Sequence, residues 1–171
     1  PKVDAEGNFL EPLDFTRIDQ MLDWNPQTRL WLLWPGFGIP GLDRLGTPAY
    51  GTPLWEKVFT RWVTEIRDHL LVKGLSRQQF AWYWVDEPGP EVWETHVIPS
   101  SKLLKSIDPE MLVWANFMGV SSERVEAALP YIDLYGPVDS ELESQTMLDV
   151  CHRTRLPSWQ YTVASSKNQD P

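Results

Sequence analysis

The sequence predicts an α/β fold with about five parallel strands and helices between them, either a partial (β/α)8 TIM-type barrel or an open doubly wound sheet. Three observations carry this. Short apolar runs of strand length alternate along the chain with longer amphipathic stretches. Every connection between those runs is long enough to cross over, which gives parallel pairing with right-handed returns. The run at residues 30–34 (LWLLW) is apolar throughout, as a strand buried on both faces would be. Spacing alone leaves the two architectures open. A complete barrel takes about 250 residues and roughly eight strands, so a barrel here would be a fragment of a longer chain, read as one domain over residues 1–171.

The elements follow in order. After a turn at Gly7 and Asn8, Asp14 caps a helix whose Phe15, Ile18, Met21 and Leu22 fall at helical spacing, and Asn25-Pro26 stops it. The strand at 30–34 then leads into a long loop rich in Gly and Pro. A helix over residues 53–73 lines up Leu54, Val58, Trp62, Ile66 and Leu70 on one face and ends at Gly74. The second strand, 80–85 (FAWYWV), breaks at Asp86-Glu87-Pro88-Gly89-Pro90, and the helical region beyond it is interrupted by Pro99 and closes near Asp108-Pro109. Strand three is 111–116. Ser121 or Ser122 caps the next helix, strand four is 131–135, a helix covers 140–153, and strand five is 158–163.

Composition narrows the function classes. The chain has 171 residues, 42% apolar, with 15 Lys plus Arg against 24 Asp plus Glu, which suits a globular domain. A formal charge of -9 repels phosphate backbones, so nucleic acid is not an expected partner. No apolar run reaches the roughly 18 residues of a membrane span, and no export signal opens the sequence. The single Cys151 can form no internal disulfide and has no Cys neighbours for a zinc site. His69, His96 and His152 are separated and lack a second ligand at helical spacing, so no metal or other cofactor is expected. Ten Trp form the compositional outlier.

Active groups in either architecture collect at the C-terminal ends of parallel strands. Those ends supply Trp34, then Asp86-Glu87-Pro88, Trp114 to Asn116, Asp133 to Tyr135, and Trp159 to Thr162. The set is rich in carboxylate, amide and aromatic groups and has no His, Cys or Lys. The glycine-rich run at 36–41 (GFGIPG) lacks the Lys-Ser/Thr of a phosphate loop, and Pro40 removes an amide donor. Asp86-Glu87 is the most specific feature. Phe80, Trp82, Trp84 and Asp86 alternate onto one face, which points Asp86 either into a barrel mouth or toward the covering helices. An unpaired carboxylate in an apolar layer is costly, which favours the mouth. Two close carboxylates among aromatic groups favour one protonated acid beside one anion, the asymmetry that glycoside cleavage uses. The competing reading is that Asp86 caps the following helix. Trp114, Asn116, Tyr135, Trp159 and Tyr161 are the candidate sugar contacts, because flat aromatic faces suit the C–H faces of sugar rings.

The run FAWYWVDEP, preceded by LWEKVFTRWVTEIRDHLLVKG, resembles the catalytic strand and preceding helix of the glycoside hydrolase family 123 group. DFTRIDQML resembles that group's early helix, DLYGPV its strand usually ending in Trp-x-Pro, and PSWQYTVASSKNQDP its Trp-x-Tyr strand and following loop. The resemblance spans nearly the whole chain in short motifs. It implies a (β/α)8 barrel, retaining β-N-acetylhexosaminidase activity, typically on N-acetylgalactosamine, and a secreted or periplasmic location. By the same carry-over Glu87 is the acid/base and Asp86 assists the substrate's acetamido group. Departures from the group's pattern are a last Arg- and Trp-containing strand that this sequence lacks, the further sequence, often a β-rich domain, that members carry before the early helix, and Tyr135 in place of the usual Trp. A degenerate barrel that binds sugar without turning it over is the alternative.

Strand counting separates this from barrels that place Asn-Glu-Pro on strand four and a second Glu on strand seven. Residues 158–163, three strands on, offer no carboxylate nucleophile. Attack by the sugar's own acetamido oxygen removes the need for one.

Overall fold

The computed structural model describes residues 2–34, 48–116, 119–136, 145–155 and 157. Within them the chain is α/β, with a four-stranded parallel sheet in the order β1-β2-β3-β4: β1 Trp31–Leu33, β2 Phe80–Trp82, β3 Leu112–Ala115 and β4 Leu134–Tyr135. The helices are α1 Thr16–Trp24, α2 Pro53–Val72, α3 Ile98–Ile107, α4 Ser122–Ala128 and α5 Gln145–Thr154. The fifth strand expected at 158–163, the run at 36–41 and the start of the helix expected over 140–153 lie outside the described residues. Among the described residues no helix is long and apolar enough to cross a membrane.

Strand register splits the side chains into two layers. Trp31 pairs with Phe80, Leu33 with Trp82, Ala81 with Leu112, and Trp114 with Leu134. Alternation therefore sends Phe80, Trp82, Val113, Ala115 and Tyr135 to one face, where they pack with α2, α3 and α4. Ala81, Tyr83 and Trp114 form a smaller cluster on the other face, with Leu30, Leu112 and Leu134 against it. The Trp-rich composition resides largely in the helix-side layer. Trp62 meets Trp82 edge-on at 5.4 Å, Trp82 stacks on Trp84 at 5.5 Å, and Phe59 bridges Trp84 and Trp55. Trp84 Nε1 donates to Ser101 Oγ at 2.9 Å, and that hydroxyl donates to the Val97 carbonyl, so a hydroxyl is tolerated in an otherwise apolar layer.

Local chemistry sets the boundaries. Asp14 accepts the Thr16 N–H at 2.9 Å at the start of α1, and Thr52 accepts the Trp55 N–H at the start of α2, with Pro53 at its first position. Residues 90–107 form one continuous helical path rather than an interrupted one. Pro99 cannot donate to residue 95, and a π turn at Trp93–Val97, in which the Ile98 N–H reaches the Trp93 carbonyl, carries the path past it. All four described strands are shorter than expected, β2 and β4 most of all. Pro130 draws Leu129–Tyr131 into a 3-10 turn, so β4 begins only at Leu134, and β2 stops at Trp82. β1 is not buried on both faces: Leu32 is 40% exposed because it faces the side opposite the helices.

Ion pairs brace the helix side. Asp108 is buried and accepts Arg77 Nε at 2.9 Å, with Arg67 Nη1 at 3.3 Å. Burial pushes its carboxyl up, but the hydrogen bond from Arg77, the Glu110 N–H and the two guanidinium charges outweigh it and hold the group below its ordinary range. Asp19 of α1 pairs with His69 of α2 and with Lys73 just after that helix, both at 2.6 Å, and hydrogen bonds from Lys73 and then His69 lower its carboxyl.

Candidate functional site

The site forms where β2 and β3 end. Tyr83 continues the β2 pairing by donating its N–H to the Leu33 carbonyl at 2.9 Å, and its ring lies on the face opposite the helices, edge-on to Trp114 at 4.5 Å. Strict alternation would return Asp86 to the helix-side layer of Trp82 and Trp84. It does not, because the ladder ends at Trp82 and the chain turns over Val85 to Pro88. Asp86 is exposed, and its Oδ1 accepts both the Tyr83 hydroxyl and Asn116 Nδ2, the latter at 3.1 Å.

Glu87 follows in the left-handed region at φ 46, which a non-glycine residue adopts at a cost of about 1–2 kcal/mol. Pro88 disfavours the right-handed helical alternative for the residue before it. The Glu87 N–H donates to Asn116 Oδ1 at 3.0 Å. Among the described residues its half-buried carboxylate has no hydrogen-bond or ion-pair partner. Neither acidic side chain caps the next helix: the one-turn helix Pro90–Val92 begins after Gly89, without a side-chain cap.

The expected site residues divide. Asp86, Glu87 and Asn116 come together, with Asn116 fully buried beneath the two acids. Trp114 is 2% exposed and supports the cluster from below through Tyr83. Its indole lies across Gly136, where an added Cβ would sit 1.9 Å from Trp114 Cζ2, so the backbone after β4 passes in contact with the ring. Tyr135 lies in the helix-side layer, because Leu134 takes the face that Trp114 occupies and alternation sends the next residue across the sheet. Trp159 and Tyr161 lie outside the described residues. Asp133 sits before β4, not at a strand's C-terminal end; its carboxylate accepts Lys105 Nζ and the Val113 N–H, both at 2.7 Å.

Sequence reasoning missed Tyr83. Alternation through an unbroken strand over 80–85 places Phe80, Trp82, Trp84 and Asp86 on one face and leaves Tyr83 out of the candidate set. The turn signal at Asp86-Glu87-Pro88 was the available clue that the alternation fails there. Trp34, a strand-end residue in the sequence but not among the candidate sugar contacts, is 59% exposed at the end of β1, with its ring 6.3 Å from that of Tyr83.

A groove of about 510 Å³ opens between α1 and α2 over β1 and β2, with Met21, Leu33, Trp34, Trp62 and Trp82 among its walls. Its lining is largely apolar and includes neither Asp86 nor Glu87. Among the described residues no cluster of His, Cys, Asp and Glu could hold a metal ion. The histidines are engaged or exposed: His69 with Asp19, His96 with Thr95 at 2.7 Å and stacked on Tyr50, His152 at the surface. Comparisons with protein-family models, curated proteins and solved structures each return no match.

Proposed function

We propose that the chain is the catalytic part of a retaining glycoside hydrolase that removes terminal β-linked N-acetylhexosamine, N-acetylgalactosamine above all, by substrate-assisted catalysis on a (β/α)8-type barrel. One observation carries the reading: at the C-terminal ends of parallel strands, Asp86 is held by two donors beside Glu87, whose carboxylate has no partner among the described residues. Consecutive strand order, with helices packed on one face and Tyr83 and Trp114 on the other, suits winding around a barrel.

The chemistry follows from these groups. Glu87 gives its proton to the glycosidic oxygen as that bond breaks, and the acetamido oxygen of the same sugar attacks the anomeric carbon from the opposite face. Positive charge grows on the amide; Asp86 accepts its N–H and stabilises that charge. Glu87, now a carboxylate, takes a proton from water, which opens the cyclic intermediate at the anomeric carbon. Two inversions give retention. Trp34, whose ring lies 6.3 Å from that of Tyr83, offers an aromatic face for a sugar ring.

Aryl glycosides of β-N-acetylgalactosamine, β-N-acetylglucosamine and β-galactose test the reading. Cleavage of the two acetamido sugars, with the plain sugar resistant and Asp86→Asn inactive but folded, is the expected pattern. Equal rates on β-galactose would exclude substrate assistance. Binding of the acetamido sugars without turnover would favour a sugar-binding barrel.

A further inference from the structure

We infer that Tyr83 and Asn116 are positioning residues that hold the Asp86 carboxylate and the Glu87 turn as one unit, presenting Asp86 Oδ2 as the acceptor for a ligand N–H. What is positioned rests on the glycosidase reading; how it is held rests on hydrogen-bond geometry alone.

Asn116 is fully buried, and both ends of its amide are engaged by protein. A backbone N–H can only donate, so the amide oxygen must face Glu87 and the amide nitrogen must face Asp86. One buried side chain thereby ties the two acidic residues to the end of β3. Tyr83 has a single phenolic proton, which goes to the charged Asp86 Oδ1; its oxygen also lies 3.1 Å from Asn116 Oδ1. Asp86 Oδ1 thus takes two donors, while Oδ2 has no partner among the described residues. An exposed carboxylate would otherwise rotate freely, and fixing it before the ligand arrives removes that cost from the reaction.

The Glu87 link matters for a separate reason. Its left-handed backbone sets where the carboxylate points, and the bond to Asn116 offsets the strain of that conformation. Asn116, expected from the sequence to touch sugar, acts on this reading through Asp86 and Glu87.

Three variants separate the bonds. Tyr83→Phe removes one donor at Asp86 and nothing at Glu87. Asn116→Asp keeps the acceptor for the Glu87 N–H while replacing the donor to Asp86 with a repelling carboxylate. Asn116→Ala removes both. Amide hydrogen exchange at Glu87, read by NMR with the Trp82 and Val113 amides as controls for global stability, reports the turn; steady-state kinetics on an aryl β-N-acetylgalactosaminide report the carboxylate.

Glu87 exchange is expected to rise about tenfold or more in Asn116→Ala and to stay near wild type in the other two. Turnover should fall about tenfold in Tyr83→Phe, and further in Asn116→Asp, with KM little changed. Unchanged Glu87 exchange in Asn116→Ala with the controls intact, or wild-type kcat in Tyr83→Phe, overturns the assignment. If the wild type cleaves no acetamido sugar, the glycosidase reading fails, and the exchange pattern still decides whether Asn116 holds the turn.

Discussion

The backbone N–H of Glu87 donates to Asn116 Oδ1 at 3.0 Å, tying the turn after β2 to the end of β3 while Glu87 stays in the left-handed region. Holding a non-glycine residue there costs about 1–2 kcal/mol. Glu87→Gly should therefore keep the stability of the wild type or raise it by up to about 1 kcal/mol, since glycine adopts this conformation freely. The same change should abolish turnover. Glu87→Gln should keep the fold and lose about 10² to 10⁴ in rate on poor leaving groups. Thermal unfolding and kcat measured on both variants check this, and a fully active Glu87→Gln would remove Glu87 from the chemistry.

Trp34 is exposed beside Tyr83. If it stacks on a sugar ring, Trp34→Ala should raise KM about 3- to 10-fold and leave the melting temperature nearly unchanged, the scale of one aromatic contact. An unchanged KM would place the sugar elsewhere.

Gly136 has no room for a side chain, because Trp114 lies where its Cβ would be. Gly136→Ala should cost about 1–3 kcal/mol in stability through overpacking. Chemical denaturation of Gly136→Ala with and without Trp114→Leu tests this: the loss attributable to Gly136→Ala should shrink in the Trp114→Leu background. Additive losses would mean that the two positions do not touch.

Asp108 accepts Arg77 and Arg67 in a nearly buried setting that lowers its carboxyl from the ordinary 3.8. A depressed folded-state value gives stability that is present above pH 3.8 and is lost as pH falls through the folded value. Asp108→Asn should thus destabilise by about 1–3 kcal/mol at pH 7. The gap from wild type should narrow as the pH drops below 3.8. A gap that stays constant with pH would show that the charge contributes nothing.

Much of the fold was legible because its signals are local. The apolar faces of α1 and α2, Ser121 at the N-cap position of α4, which it occupies without a side-chain capping bond, and the apolar runs of β1 to β3 lie in the chain itself. Departures arise where tertiary geometry overrides period. Leu32 reads as core and is exposed, since nothing in LWLLW tells which face the helices cover. Tyr135 reads as a strand-end aromatic, but the two-residue β4 puts Leu134 on the Trp114 side and Tyr135 with the helices. At the site, the Asp86-Glu87 pair was legible from composition and turn residues. Tyr83 was not, because its bond to Asp86 exists only once the ladder stops at Trp82 and the chain doubles over it.

Participation of the substrate's own amide is the central claim. The most direct measurement is kcat/KM on aryl β-N-acylgalactosaminides whose acetyl group carries zero, one, two or three fluorines. Each fluorine weakens the carbonyl oxygen as a nucleophile, so the rate should fall steeply along the series. A flat series would contradict it.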